Sequence, residues 1–75
     1  MMIYTDGVHI IADSLSELHE FARGIGMKRE WFQDRKHPHY DITSNGMRKA
    51  VMRGRPKPIV IDSRSLARIA RVTTR

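Results

Sequence analysis

The first twelve positions of the chain hold two apolar, β-prone runs separated by a polar pair. Residues 2–5 and 8–12 are β-prone runs, and Asp6-Gly7 between them is a pair suited to a two-residue type I′ turn. The pattern predicts an N-terminal β-hairpin.

The spacing then changes to that of a helix. Ser14, followed three residues later by Glu17, forms a capping box, and Gly24 and Gly26 offer a stop. Apolar residues recur at helical spacing between these signals, at Leu15, Leu18, Ala22 and Ile25. A first helix is therefore predicted from Ser14.

The second half alternates extended and helical segments. Residues 36–42 can run extended, and Pro38 predicts that such a strand lies at a sheet edge. Thr43 or Ser44 can cap a second helix to about Arg53, although Asn45-Gly46 could instead turn a hairpin; the helix is preferred. A short strand over residues 58–61 and a final helix capped by Ser63 follow.

These elements predict one compact α+β or small α/β domain over residues 1–75, with three to four strands and three helices. A domain of 75 residues buries only about 60% of its unfolded surface, so a homodimer would add stability. The chain has no cysteine, which excludes disulfides and thiolate metal sites. The N-terminus has no long apolar run, so neither a signal peptide nor a membrane span is expected.

Charge is unevenly distributed. Residues 1–27 carry a net charge of −3 and residues 28–75 carry +9. The asymmetry indicates a basic surface that would bind DNA or RNA. An acidic protein surface is the alternative partner.

The segment Arg53-Gly54-Arg55-Pro56 resembles the core of an AT-hook, which inserts arginines into the DNA minor groove. In that motif glycine lets the backbone approach the groove floor and proline keeps it extended. The alternative is structural: Gly54 ends the second helix, and the prolines stiffen the loop that follows.

Two further features fit a nucleic-acid partner. Arginines follow one side of the last helix, at Arg64, Arg68, Arg71 and Arg75, where they would track phosphates or simply form a solvated face. Trp31 and Phe32 lie among basic residues, as in single-strand binding surfaces. Phe32 is favoured as a core residue, and Trp31 stays open between core and stacking.

The run from His37 to Asp41 indicates a rival chemistry. In a strand, His37, His39 and Asp41 share a face, and this His-x-His-x-Asp spacing resembles the zinc-ligand run of metallo-β-lactamase-like hydrolases. Asp6 and His9 from the hairpin would complete such a site. His19 would approach from the helix, although a hydrogen-bonded core histidine is the alternative there.

The segment Asp13-Ser14-Leu15-x-Glu17-Leu18-His19-x-Phe21-Ala22, followed by His39-Tyr40-Asp41 and Ser63-Arg64-x-Leu66, resembles a small family of unknown function found in bacteria and their phages. The resemblance covers most of the chain. It implies a bacterial or phage setting, and therefore the cytoplasm of a bacterial cell. Its recurrent polar positions match His9, His19, His39, Tyr40 and Asp41.

The favoured hypothesis is a nucleic-acid-binding accessory protein without catalysis or cofactor. The residues expected to contact the nucleic acid are Lys49, Arg53, Arg55, Lys57, Arg64, Arg68, Arg71 and Trp31. One alternative is a small metal-dependent hydrolase, with zinc as the candidate ion, that uses His37, His39, Asp41 and His9. Another is a phage inhibitor that binds an acidic host protein.

Overall fold

Four strands and three α-helices make up the regular part of the chain in a computed structural model, which describes residues 2–34 and 37–73. The elements are β1 (Ile3–Thr5), β2 (His9–Ala12), α1 (Leu15–Gly24), a short 3-10 helix (Arg29–Trp31), β3 (Tyr40–Asp41), α2 (Asn45–Met52), β4 (Ile59–Val60) and α3 (Ser63–Thr73). The predicted fold class is confirmed.

The strands form one mixed sheet in the order β3-β2-β1-β4. β2 pairs antiparallel with both β1 and β3, and β4 pairs parallel to β1. The hairpin is therefore confirmed, and β3 lies at an edge as Pro38 predicted. Part of the strand predicted over residues 36–42 lies outside the described residues.

The hairpin connection is longer than the predicted two-residue turn, because Thr5 lies opposite Ile10. The Asp6 side chain explains the difference. Its Oδ1 accepts hydrogen bonds from the backbone N–H groups of Val8 (2.9 Å) and His9 (2.7 Å), and Gly7 adopts a φ of +91°. An aspartate that binds the backbone two and three residues ahead favours this wider loop over a tight turn.

The first two helices begin where the sequence predicts. The Ser14 hydroxyl accepts from the Glu17 N–H and donates to the Glu17 carboxylate, and the Ser44 hydroxyl accepts from the Met47 N–H. The predicted cap of α3 is wrong. Asp62 takes that role by accepting from the Ser65 N–H at 2.7 Å, so Ser63 is the first helical residue.

Two apolar cores lie on opposite faces of the sheet, because side chains alternate along β2. Ile10 and Ala12 join the larger core with α1 and α2, and Ile11 joins the smaller core with α3. The buried members of the larger core are Ile3, Ile10, Ala12, Leu18, Phe21, Ala22, Met27, Tyr40, Ile42 and Val51. Leu66 and Ala70 of α3 complete the smaller one. In the part of the chain that the structure describes, no helix is both long and apolar enough to cross a membrane.

Candidate metal centre

Three side chains that can bind a metal converge on the α3 face of the sheet. His9 of β2 and Asp41 of β3 are paired across the two strands, and His39 lies two residues before Asp41 on the same face. Asp41 Oδ1 lies 3.8 Å from His9 Nε2 and 3.3 Å from His39 Nε2. One ligand atom from each of the three residues lies within 4.8 Å of the others.

Each of these side chains is also held through its other polar atom. His9 Nδ1 lies 3.0 Å from Asp6 Oδ2, and His39 Nδ1 lies 2.9 Å from the His37 carbonyl oxygen. Since both partners accept, each Nδ1 donates the hydrogen bond, and each Nε2 is left facing Asp41 Oδ1. Asp41 Oδ2 accepts from the Gln33 side-chain amide. Outer partners of this kind orient metal ligands in known sites.

Asp6 links His9 to the start of α3. Its side chain is only 1% exposed, and Ser63 Oγ at the start of α3 donates to its Oδ2 at 2.7 Å. Burial alone would raise the pKa of Asp6. The hydrogen bonds from Ser63, His9 and the backbone of Val8 and His9 outweigh it and hold the pKa well below its ordinary value. Asp6 is therefore a fixed anion that ties the hairpin loop, His9 and α3 together.

The cluster opens into a cavity of about 330 Å³ between the sheet and α3. Its lining residues are Asp6, His9, His37, His39, Ser63, Leu66 and Ala67. Asp41 approaches the same two imidazoles from the β3 side. A tetrahedral zinc ion with ligands at about 2.0–2.1 Å holds neighbouring ligand atoms about 3.3 Å apart, so small side-chain movements would close the cluster around an ion.

The predicted metal ligands are thus partly brought together. His9, His39 and Asp41 form the cluster, whereas the His37 ring lies beside His39, at 5.4 Å between centroids, and lines the cavity. Asp6, which the sequence suggested as a ligand, instead holds His9. The sequence does not predict the roles of Gln33 and Ser63, because no local motif indicates them. Gln33 is placed by its bridge to His39, and Ser63 reaches Asp6 through the packing of α3.

His19 lies away from this cluster, on the α1 face. Its Nδ1 is 2.8 Å from the Tyr40 hydroxyl, and its ring makes a T-shaped contact with the Phe32 ring at 4.6 Å between centroids. Burial and the neighbouring Arg29 lower the pKa of His19. The hydrogen-bonded core histidine, rather than a metal ligand, is the role that the structure gives to His19.

The basic residues fall into two groups. Arg64, Arg68 and Arg71 are exposed on α3, and Arg64 and Arg71 flank Ala67 at helical spacings of three and four residues. Lys49, Arg53 and Arg55 are exposed around the end of α2, which packs on the opposite face of the sheet; Lys57 is exposed just before β4. The single basic surface expected from the sequence is divided by the sheet, and Arg75 lies outside the described residues.

The Arg53-Gly54-Arg55-Pro56 segment is folded against α1. Gly54 follows Arg53, the C-cap of α2, and a Cβ at Gly54 would lie 2.5 Å from Phe21 Cε1. The glycine therefore permits close packing, and its backbone is not open to a groove floor on that side. Gly54 stands at the end of α2 as the structural alternative predicted, but with contact to Phe21 as the reason.

The two adjacent aromatics point in different directions. Phe32 is half-buried against the larger core, as favoured from the sequence, while Trp31 is 41% exposed with Lys28 Nζ 5.9 Å from its ring centroid. Trp31 lines a second cavity, of about 450 Å³, together with Glu30, Gln33, Asp41 and Thr43.

Fold and site together define a small α+β domain with a two-histidine, one-carboxylate cluster at an edge of its sheet. The chain belongs to the DUF4031 family of proteins of unknown function, whose model matches residues 5–73. No curated protein and no solved structure matches it.

Proposed function

We propose that this protein binds a divalent metal ion of the zinc class through His9 Nε2, His39 Nε2 and Asp41 Oδ1. The observation that carries the proposal is that all three side chains are oriented by a second contact, from Asp6, the His37 carbonyl and Gln33. Second contacts of this kind are typical of the ligands in metal sites. Imidazole nitrogen and carboxylate oxygen are also ligands that zinc accepts.

Three protein ligands leave one tetrahedral position for water or substrate, which is typical of catalytic rather than structural zinc sites. A metal in this cluster would border the cavity under α3, with Ser63 and His37 on its walls. A metal held by His9, His39 and Asp41 would supply Lewis-acid and water-activating chemistry of the kind that supports hydrolysis, in which water adds across an ester bond, the bond breaks and the leaving oxygen takes a proton. The proposed function is a small metal-dependent hydrolase, in a bacterial or phage setting.

Zinc titration by calorimetry tests the proposal directly. The metal-free protein is expected to bind one zinc ion per chain, and Asp41→Asn to weaken it strongly while keeping a side chain of the same shape. Asp6→Asn leaves all three ligands in place but should weaken zinc binding about 10–100-fold, as loss of an outer partner does. Glu20→Gln, which neutralises an exposed carboxylate on α1 and therefore on the opposite face of the sheet, is the matched control.

Absence of saturable zinc binding by the wild-type protein would contradict the proposal. So would equal affinity in the wild type and in Asp41→Asn. Hydrolysis is then measured with a chromogenic phosphodiester. Its rate should depend both on added zinc and on Asp41.

A second candidate function, nucleic-acid binding without catalysis, is favoured by a different observation. Arg64, Arg68 and Arg71 are all exposed on the side of α3 that faces away from the smaller core. Side chains placed in this way can follow a phosphate backbone, each contact adding about −0.9 to the slope of log K against log salt for duplex DNA. An acidic protein partner would satisfy the same charges.

The two basic groups can be separated by paired substitutions. Arg64→Gln with Arg68→Gln should reduce DNA or RNA binding and lower the salt slope by about 2 if α3 carries the contacts. Arg53→Gln with Arg55→Gln is the matched pair on the opposite face of the sheet. Equal losses in both pairs would indicate nonspecific attraction to the net charge of +6. No loss in either would exclude a nucleic-acid role for these arginines.

A further inference from the structure

The cavity beside Trp31 adjoins the metal centre. Asp41 belongs both to the metal cluster and to the lining of this cavity, and Gln33, which holds Asp41 Oδ2, lines it too. The backbone explains the proximity, because Gln33 and His39 form an antiparallel bridge. The two segments run antiparallel at that bridge. Trp31, two residues before Gln33, therefore lies alongside Asp41, two residues after His39.

Trp31 is unusual in being exposed. In a domain of this size the one tryptophan would be the largest contribution to the core, yet 41% of its surface stays open while the smaller Phe32 turns inward. An exposed indole at the wall of a cavity is a platform on which a flat ring can stack. Lys28 Nζ, 5.9 Å from the ring centroid, places a positive charge close to the Trp31 ring.

We infer that this cavity is a nucleotide subsite, in which a nucleobase stacks on Trp31 and its phosphate reaches the open metal position. The inference rests on the proposed metal centre for the phosphate contact. Glu30 and Gln33, which line the same cavity, can hydrogen-bond to amino and carbonyl groups of the base. A neutral ligand with a flat face, such as a sugar, would leave Lys28 and the metal unmatched. A nucleobase joined to a phosphate uses the ring, the cation and the metal together.

The cavity volume fits this occupant. About 450 Å³ lies in the range of small-molecule sites, which is about 300–1,000 Å³. The nucleotide can be free or part of a single strand, since both present the same base and phosphate. Duplex nucleic acid would not fit, because its bases are already stacked on their neighbours.

Fluorescence of Trp31 tests the inference without a label, because the chain has a single tryptophan. Zinc-loaded and metal-free protein are titrated with AMP, adenosine, inorganic phosphate and a single-stranded oligo(dA). We expect AMP and oligo(dA) to quench the emission, adenosine to need at least about tenfold higher concentration, and phosphate alone to leave the emission unchanged. Tighter binding of oligo(dA) than of AMP would identify a strand as the ligand, and equal binding a free nucleotide.

The possible failures are distinct. Zinc binding without quenching by AMP or oligo(dA) overturns the nucleotide subsite and leaves the metal centre standing. If zinc does not bind, the proposed function fails. Quenching by AMP in that metal-free protein would still support a base subsite at Trp31, whereas no quenching would exclude the subsite. Quenching by phosphate as strong as by AMP overturns the stacking contact.

Substitution of the ring supplies the second measurement, followed by anisotropy of a labelled oligo(dA). Trp31→Phe keeps a stacking face and should retain affinity within about threefold, whereas Trp31→Leu should lose about tenfold, which corresponds to the low end of measured stacking energies. Val72→Ala, at an apolar residue that is 76% exposed on α3, is the control for lost surface area. Equal binding by Trp31→Leu and the wild type overturns the inference.

Discussion

The two histidine clusters on either side of β3 differ in what surrounds the imidazole. On the α3 face, His39 is held by a backbone carbonyl and lies 3.3 Å from Asp41, beside an open cavity. On the α1 face, His19 is bonded to the buried Tyr40 and packed against the edge of Phe32. The alternation of β3 separates them, since Tyr40 points away from its two neighbours. Neighbouring groups, rather than residue type, therefore decide which histidine can serve as a ligand.

The largest expected difference between the two clusters is in metal affinity. His39→Gln removes a proposed ligand and should weaken zinc binding by more than about 100-fold, because loss of an outer partner alone costs about 10–100-fold. His19→Gln should leave the affinity nearly unchanged, since His19 lies on the opposite face of the sheet. Calorimetric titration of both variants against the wild type measures the contrast.

Circular dichroism and thermal melting in the presence of a chelator provide the control for folding. If His19→Gln lost as much affinity as His39→Gln while both stayed folded, the separation of the two faces would be refuted.

The packing of the two faces differs as well, and Gly54 probes it. On the α1 side, Gly54→Ala would drive a methyl group into the buried Phe21 ring, so we expect destabilisation by about 1–3 kcal/mol, the usual result of overpacking. The measurement is the free energy of unfolding in urea.

Gly46→Ala is the matched substitution. Gly46 lies inside α2, where a Cβ would come no closer than 3.9 Å to the Ser44 hydroxyl oxygen, so the change should stabilise the protein by about 0.5–1 kcal/mol. Equal and small effects at both positions would show that the loop after α2 yields easily and that the Phe21 contact is not tight.

The sequence predicts features that depend on contacts between neighbouring residues better than features that depend on tertiary contacts. Helices α1 and α2 begin at Ser14 and Ser44 because their caps are formed within three residues, and such signals are visible in the chain. The start of α3 is ambiguous in the sequence, because Asp62 and Ser63 are both good capping residues. Only the tertiary contact to Asp6 decides that the Ser63 hydroxyl is used elsewhere.

The candidate site follows the same rule. His39 and Asp41 share a face by strand alternation, so the sequence predicts their proximity, and it also indicates His9 of the hairpin as a partner. The sequence does not predict the exclusion of His37 from the cluster, because it depends on how far the paired backbone extends before β3. His39 still pairs with Gln33 in an isolated bridge, whereas His37 lies in a bend ahead of that bridge. The division of the basic residues required knowing that α2 and α3 pack on opposite faces.

The smallest expected effect concerns protonation of His19. Burial and Arg29 lower its pKa in the folded protein below the value of about 6.5 for an unfolded chain. Between these two values the unfolded state binds more protons, so protonation favours unfolding and stability falls as pH drops below about 6.5. Above that pH the contribution is fully present. His19 lines a cavity of about 510 Å³ on the α1 face together with the charged residues Glu20, Arg23 and Arg29, and Arg29 is the neighbour that adds to the shift in the pKa of His19.

His19→Gln should therefore flatten the decline in melting temperature between pH 7 and pH 5, measured with a chelator present so that metal binding does not contribute. Glutamine can keep a hydrogen bond to Tyr40 but does not titrate, which separates the charge from the contact. His37→Gln, in the cavity on the other face, is the control, because it changes the number of histidines equally. If His37→Gln flattened the profile as much as His19→Gln, the pH dependence would belong to the α3 face, and the contrast between the two clusters would be reversed.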